Sequence, residues 1–143
     1  MRILAVCLGN ICRSPTAEAV LRHHLPFAEI DSAGTSDWHI GDAPYPPAID
    51  AAAGRGYDLT TLRARQVTTE DFAAFDLILA MDTKNLETLE AMRPANAHAK
   101  VKRLLEYLPD AETREVPDPY YTRDFDGTLD LIEAAVLAMK TDF

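Results

Sequence analysis

Both cysteines of the chain, Cys7 and Cys12, lie in one stretch, Cys7-Leu8-Gly9-Asn10-Ile11-Cys12-Arg13-Ser14, and five residues separate Cys7 from Arg13. A thiolate is a strong nucleophile, and a guanidinium is a planar fork that binds two oxygens of a phosphate together. Between them, Gly9 opens backbone conformations closed to other residues, and Asn10 is among the few types that tolerate positive φ. A loop built this way turns its successive N–H groups, from Leu8 through Ser14, inward as a nest for an anion. The apolar run Ile3-Leu4-Ala5-Val6 leads into the loop, and Pro15-Thr16-Ala17-Glu18-Ala19 continues it like the first turns of a helix. The unpaired N–H groups and dipole of that helix add to the same site. An electropositive loop favours the thiolate form of a cysteine, and the Ser14 hydroxyl is placed to donate to it. A thiolate facing a held phosphate attacks phosphorus in line, giving a phosphocysteine that water then cleaves. No metal or cofactor is required. The competing reading makes Cys7 a buried core thiol beside an ordinary turn, but the Cys-to-Arg spacing between strand and helix favours the cradle.

The elements that must hold this loop follow from periodicity and breakers. Residues 2–6 read as a fully buried strand. Ser14 is expected to cap a helix with Pro15 at its first position, running to Leu25 before Pro26. Residues 30–34 suggest a second strand, and 35–47, rich in Gly, Pro and Asp, a long surface loop carrying Trp38 and Tyr45. Residues 47–55 read as a helix ending at Gly56. Thr68 or Thr69 is expected to cap a helical turn with Glu70, Asp71 and Phe72. Residues 75–81 form the next strand candidate and 82–92 the helix after it. Between 101 and 108, a short strand gives way to a helical turn from Leu104. Two prolines bracket Asp118, so 117–121 is expected to be irregular. Phe125, Leu129, Ile132, Val136 and Met139 mark the core stripe of a final helix. Strands alternating with helices imply an α/β fold, a parallel sheet covered on both faces with right-handed crossovers. In such sheets ligands bind beyond the carboxyl ends of the strands, where the Cys7 loop lies.

The 143 residues suit a single domain, 1–143. Fourteen basic against twenty-three acidic residues give a net charge of −9, which argues against nucleic-acid binding and requires any anion site to be made locally. No apolar run approaches the ~18 residues of a membrane span, and Arg2 followed by few apolar residues lacks a secretory pattern. With both cysteines clustered rather than spread as staples, a reducing cytoplasmic setting is expected. Oligomeric state is left open.

Cys7 through Pro15 (CLGNICRSP) resembles the phosphate loop of the low-molecular-weight protein-tyrosine phosphatases. The similarity continues through Asp31-Ser32-Ala33-Gly34-Thr35, Trp38-His39-Ile40-Gly41, Ala64-Arg65-Gln66-Val67, Ala80-Met81-Asp82 and Asp118-Pro119-Tyr120-Tyr121. The resemblance implies a four-stranded parallel sheet flanked by helices and a metal-free, two-step phosphatase. Carried over by position, Cys7 is the nucleophile, Arg13 the phosphate clamp and Asp118 the general acid. That last role makes chemical sense, since protonating a leaving tyrosyl oxygen is worth ~10²–10⁴ in rate; on sequence alone Asp118 equally well only starts a turn.

The family usually has a histidine at the position of Leu62, which by resemblance braces the loop asparagine; without it, Asn10 must find another partner or the loop is less rigidly held, and activity is expected to survive. Resemblance also implies that Cys12 captures an oxidised Cys7 as a reversible disulfide, the plainer reading being a small residue packed beneath the loop. Trp38 and Tyr120 are placed by the family as a rim that sandwiches a phenyl ring, with Leu8 beneath it; otherwise they are half-buried loop aromatics. Tyr121 lies next to that rim as a possible phosphorylation site. His23, His24, His39 and His98 form no ligand spacing, and Asp110, Glu112 and Glu115 read as a solvated face. The expected partner is a phosphotyrosine protein or small aryl phosphate. A thiol-dependent arsenate reductase is the rival enzyme, but it needs relay cysteines beyond Cys12. A phosphocysteine carrier or a non-hydrolytic phosphate-binding module is the rival from another class.

Overall fold

In the computed structural model, which describes residues 1–143, the N-terminal apolar run forms strand β1 (Arg2–Cys7), with every residue after Arg2 buried. It is followed by α1 (Arg13–His24), β2 (Glu29–Gly34), α2 (Pro46–Ala53), α3 (Asp71–Ala74), β3 (Leu77–Ala80), α4 (Thr83–Met92) and β4 (Lys100–Arg103). A 3₁₀ turn (Leu104–Tyr107), α5 (Pro119–Thr122) and α6 (Phe125–Lys140) complete the chain. All pairings are parallel, in the order β2-β1-β3-β4.

Burial on both faces explains why β1 is a continuous apolar run rather than an alternating one. Ile3, Ala5 and Cys7 pack with Val20 and Leu21 of α1, Ala48 and Ala52 of α2, and Leu129, Ile132, Val136 and Met139 of α6. Leu4 and Val6 face the other way, onto Phe72, Phe75 and Leu89. The chain turns from β1 to β2 on one side and later lays β3 on the other. The switch point between β1 and β3 is therefore where the Cys7 loop emerges. No helix is long and apolar enough to cross a membrane.

Four local expectations need correction. Helix α1 starts at Arg13 with Cys12 as its N-cap and no side-chain cap, because the Ser14 hydroxyl is drawn into the cradle instead. Pro15 still lies in the first turn, where its missing N–H costs nothing. Residues 117–121 are not wholly irregular: Pro119 opens the single turn of α5, with the Asp118 carboxylate accepting the Tyr120 N–H at 3.0 Å. Of the two prolines read as breakers, the second sits at the helix position that suits it. At α3 the cap is Glu70 rather than a threonine, and the buried Asp71 carboxylate accepts the Thr68 N–H at 2.8 Å. Glu115 also leaves the expected solvated face: its carboxylate accepts the Thr83 N–H and hydroxyl at the start of α4.

Glu18 of α1 is 2 % exposed, accepts the Ser32 hydroxyl at 2.6 Å and pairs with Arg22 at 2.6 Å. Burial pushes its carboxyl pKa up, against the opposing pull of Ser32 and Arg22. A raised acid pKa means that the folded state holds the proton more tightly. Its stabilising effect is present below the unfolded value of about 4.3 and is lost as pH rises through the folded value. Glu18→Gln keeps an acceptor for Ser32 and removes the ionisation. The Tm of the variant relative to the parent is expected to climb between pH 4 and pH 8; a difference that stays flat or falls with pH refutes this account.

Candidate active site

Cys7 ends β1 and is 3 % exposed. Its sulfur lies 3.0 Å from the Ser14 hydroxyl and accepts the Asn10 N–H at 3.2 Å. Asn10 makes the turn that brings this amide back, with φ at 57°. The carbonyls of Cys7, Leu8 and Ile11 accept N–H groups of Thr35, Ser36 and Tyr45, all outside the loop. Across a trans peptide the N–H points opposite its carbonyl, so the amides of Leu8, Gly9 and Cys12 face away from those partners. The end of β2 presses close: a Cβ on Gly34 would lie 2.8 Å from the Leu8 carbonyl oxygen. Only glycine allows that approach.

Asn10 finds other partners in place of the missing histidine. Its amide nitrogen donates to Ser14 Oγ at 2.7 Å and Ser32 Oγ at 3.0 Å, and its Oδ1 accepts the Arg65 N–H at 3.1 Å. Leu62 is half-buried against the main core. The brace comes from β2 and the 64–67 segment, which meet at the Gly34–Gln66 bridge. Asn10→Gly retains the positive φ but removes three hydrogen bonds. At about 1 kcal/mol each, unfolding in urea should show a loss of about 2–4 kcal/mol; an unchanged midpoint contradicts the brace.

Arg13 is 3 % exposed. Its Nη1 donates to Asp82 Oδ2 at 2.6 Å and to the Val116 carbonyl at 3.0 Å, and its Nη2 lies 3.5 Å from Asp118 Oδ2. Burial works against the guanidinium charge, but Cys7, Asp82 and Asp118 outweigh it and hold the pKa above the ordinary arginine value. Asp82 was not singled out as a site residue from sequence. It sits just beyond β3, beside β1, and its other oxygen caps α4 by accepting the Asn85 N–H. Asp118 arrives through Val116, whose N–H donates to the Met81 carbonyl at 2.8 Å.

Cys7, Arg13 and Asp118 line one cavity of about 180 Å³. Cys7, Gly9, Ile11, Cys12 and Arg13 form its floor, and Leu8, Trp38, His39, Asp118, Tyr120 and Tyr121 its wall and mouth. Trp38 is 67 % exposed and Tyr120 45 %, so neither is the half-buried loop aromatic of the plainer reading. His39 was missed as a lining residue; its only signal was its place beside Trp38. Its Nδ1 lies 3.1 Å from Asp42 Oδ2. The other histidines are off the site, His24 near the Tyr57 hydroxyl and His98 against Asp76. Both cysteines are free thiols. Burial first, then the charges of Cys7 and Asp118, push Cys12 up to about 12 against the pull of Arg13 and Arg123. Cys12 is therefore a neutral thiol at ordinary pH.

An anion loop with a cysteine at its base, set at the switch point of a small parallel sheet, defines the structural class. The family profile "Low molecular weight phosphotyrosine protein phosphatase" matches residues 2–142. The pig low molecular weight phosphotyrosine protein phosphatase is 43% identical over 87% of this chain and 82% of its own. The crystal structure of YfkJ from Bacillus subtilis superposes with a TM-score of 0.93 at 37% identity, covering 99% of this chain and 93% of that one. Vibrio vulnificus Wzb in complex with benzylphosphonate gives 0.90 at 31% identity, covering 99% and 98%. The chain belongs to the low molecular weight phosphotyrosine protein phosphatase family.

Proposed function

We propose that this chain hydrolyses phosphotyrosine, in proteins or as small aryl phosphates, through a phosphocysteine on Cys7. The observation that carries the reading is the convergence of Cys7, Arg13 and Asp118 on one aromatic-walled cavity, with Arg13 and Asp118 3.5 Å apart. The phosphoryl group rests on the loop amides and the free edge of the Arg13 guanidinium, with Asp82 holding the other edge in plane. Cys7 attacks phosphorus opposite the phenolic oxygen, and Ser14 steadies the sulfur. Asp118 gives its proton to the departing phenol. In the second step the same carboxylate takes a proton from water as it attacks the phosphocysteine, and phosphate leaves. Trp38 and Tyr120 flank the ring of the substrate, which favours aryl over small aliphatic esters. The benzylphosphonate bound by the Vibrio relative is an aryl-bearing phosphate mimic of the kind this cavity suits.

Rapid quenching of an aryl phosphate reaction in the presence of EDTA tests the proposal. Mass spectrometry should find the phosphoryl group on the Cys7 peptide, with turnover unaffected by the chelator. Turnover without that adduct, or abolished by EDTA, overturns it. An arsenate reductase is disfavoured because no cysteine follows Cys12, and a silent module because Arg13 and Asp118 line the same cavity as Cys7.

Cys12 supports a redox role on the same floor. Peroxide converts the Cys7 thiolate to a sulfenic acid, releasing hydroxide, and the Cys12 thiol then attacks that sulfur to form a disulfide, its proton leaving with the displaced hydroxide as water. Oxidation removes the negative charge on Cys7 that helps keep Cys12 protonated. Cys12→Ser is therefore expected to be inactivated irreversibly by peroxide while the parent recovers with dithiothreitol; equal recovery counts against the disulfide.

A further inference from the structure

Arg123 is one of only two residues other than glycine with positive φ, the other being Asn10 of the cradle. It closes α5 in the left-handed conformation, φ 62° and ψ 11°, its N–H donating to the Pro119 carbonyl at 2.8 Å. Helices usually end there on glycine, and a side chain in that conformation persists only when its surroundings hold it. Here they do. Arg123 Nη1 donates to the Tyr45 hydroxyl at 3.1 Å and to the Tyr120 carbonyl at 3.3 Å. Its guanidinium carbon lies 5.3 Å from the ring centroids of both Tyr45 and Phe125.

Tyr45 in turn is tied to the cradle from outside, its N–H donating to the Ile11 carbonyl at 2.8 Å, and its ring lies 5.3 Å from that of Tyr120. At the other end of α5 stands Asp118. A helix of four residues has too few internal bonds to define its own position, so its outer contacts must do so. We propose that Arg123 is a positioning residue, a latch that joins α5 to Tyr45 and through it to the phosphate loop, holding the Asp118 carboxyl at the height of the leaving oxygen. The proposal rests on the reading of Asp118 as general acid.

Leaving-group dependence tests it, because a mispositioned acid penalises only esters that need protonation. Values of kcat/KM, which report the first chemical step, are compared for phenyl phosphate and p-nitrophenyl phosphate. The variants are Arg123→Gly, Arg123→Lys, Tyr45→Phe and Asp118→Asn. Glycine adopts the left-handed conformation without strain, so Arg123→Gly removes the latch and spares the backbone. It is expected to lose roughly ten- to a hundredfold on phenyl phosphate, as small displacements of a catalytic group do, and less than about threefold on the nitrophenyl ester. Lysine should restore part of the loss. Tyr45→Phe should shift the ratio the same way, with less than additive loss in the double variant with Arg123→Gly. Equal losses on both esters, or no loss on either, overturn the latch. If Asp118→Asn spreads the two esters apart and Arg123→Gly does not, the latch alone fails. If Asp118→Asn treats both alike, the acid reading fails and takes the latch with it.

Discussion

Cys7→Ser is expected to abolish hydrolysis of aryl phosphates, with kcat falling on the order of 10⁴-fold or more, as when other covalent enzymes lose their nucleophile. The exchange is nearly isosteric. A serine hydroxyl at this position accepts the Asn10 N–H and meets the Ser14 hydroxyl as the sulfur does. The stability change should therefore remain within about 1 kcal/mol. What is lost is the nucleophile, because an alcohol needs a base to attack at neutral pH and the side-chain partner of Cys7 is a serine. Arg13 and the loop amides are untouched, so inorganic phosphate should still raise the Tm of the variant. Retained phosphate protection with lost turnover separates a nucleophile from a structural cysteine. Turnover within tenfold of the parent refutes the role.

Asp118→Asn should reduce kcat/KM for phenyl phosphate by ~10²–10⁴. Asparagine caps a helix as well as aspartate does, so the bond to the Tyr120 N–H and the start of α5 should survive. The fall then isolates the proton rather than the helix. Retention of more than a third of parental activity removes Asp118 from the chemistry.

Asn10 and Ser14 show how far side-chain identity carries and where it stops. That Asn10 tolerates a left-handed turn follows from its type, and the structure has it at 57°. Leu62 shows that one support is missing but not which residues replace it. The actual partners, Ser14, Ser32 and Arg65, come from three segments. Ser14 marks where identity misleads. Beside Pro15 it reads as a helix cap, but a cysteine sulfur and a buried amide compete for its hydroxyl and win.

The amino-acid sequence by itself determined the alternation of strands and helices and the cradle between Cys7 and Ser14. These are local properties: the loop closes within a few residues, so type and spacing suffice. Only the tertiary structure decided that Asp82 grips Arg13, that Val116 docks Asp118 on the end of β3, and that Arg123 ties α5 to Tyr45. Those contacts join segments 35 to 78 residues apart. They exist because β3 pairs beside β1 and α6 returns across the same face. Hydrophobic periodicity sets which side of a strand is buried, but it carries no signal for which strand becomes its neighbour.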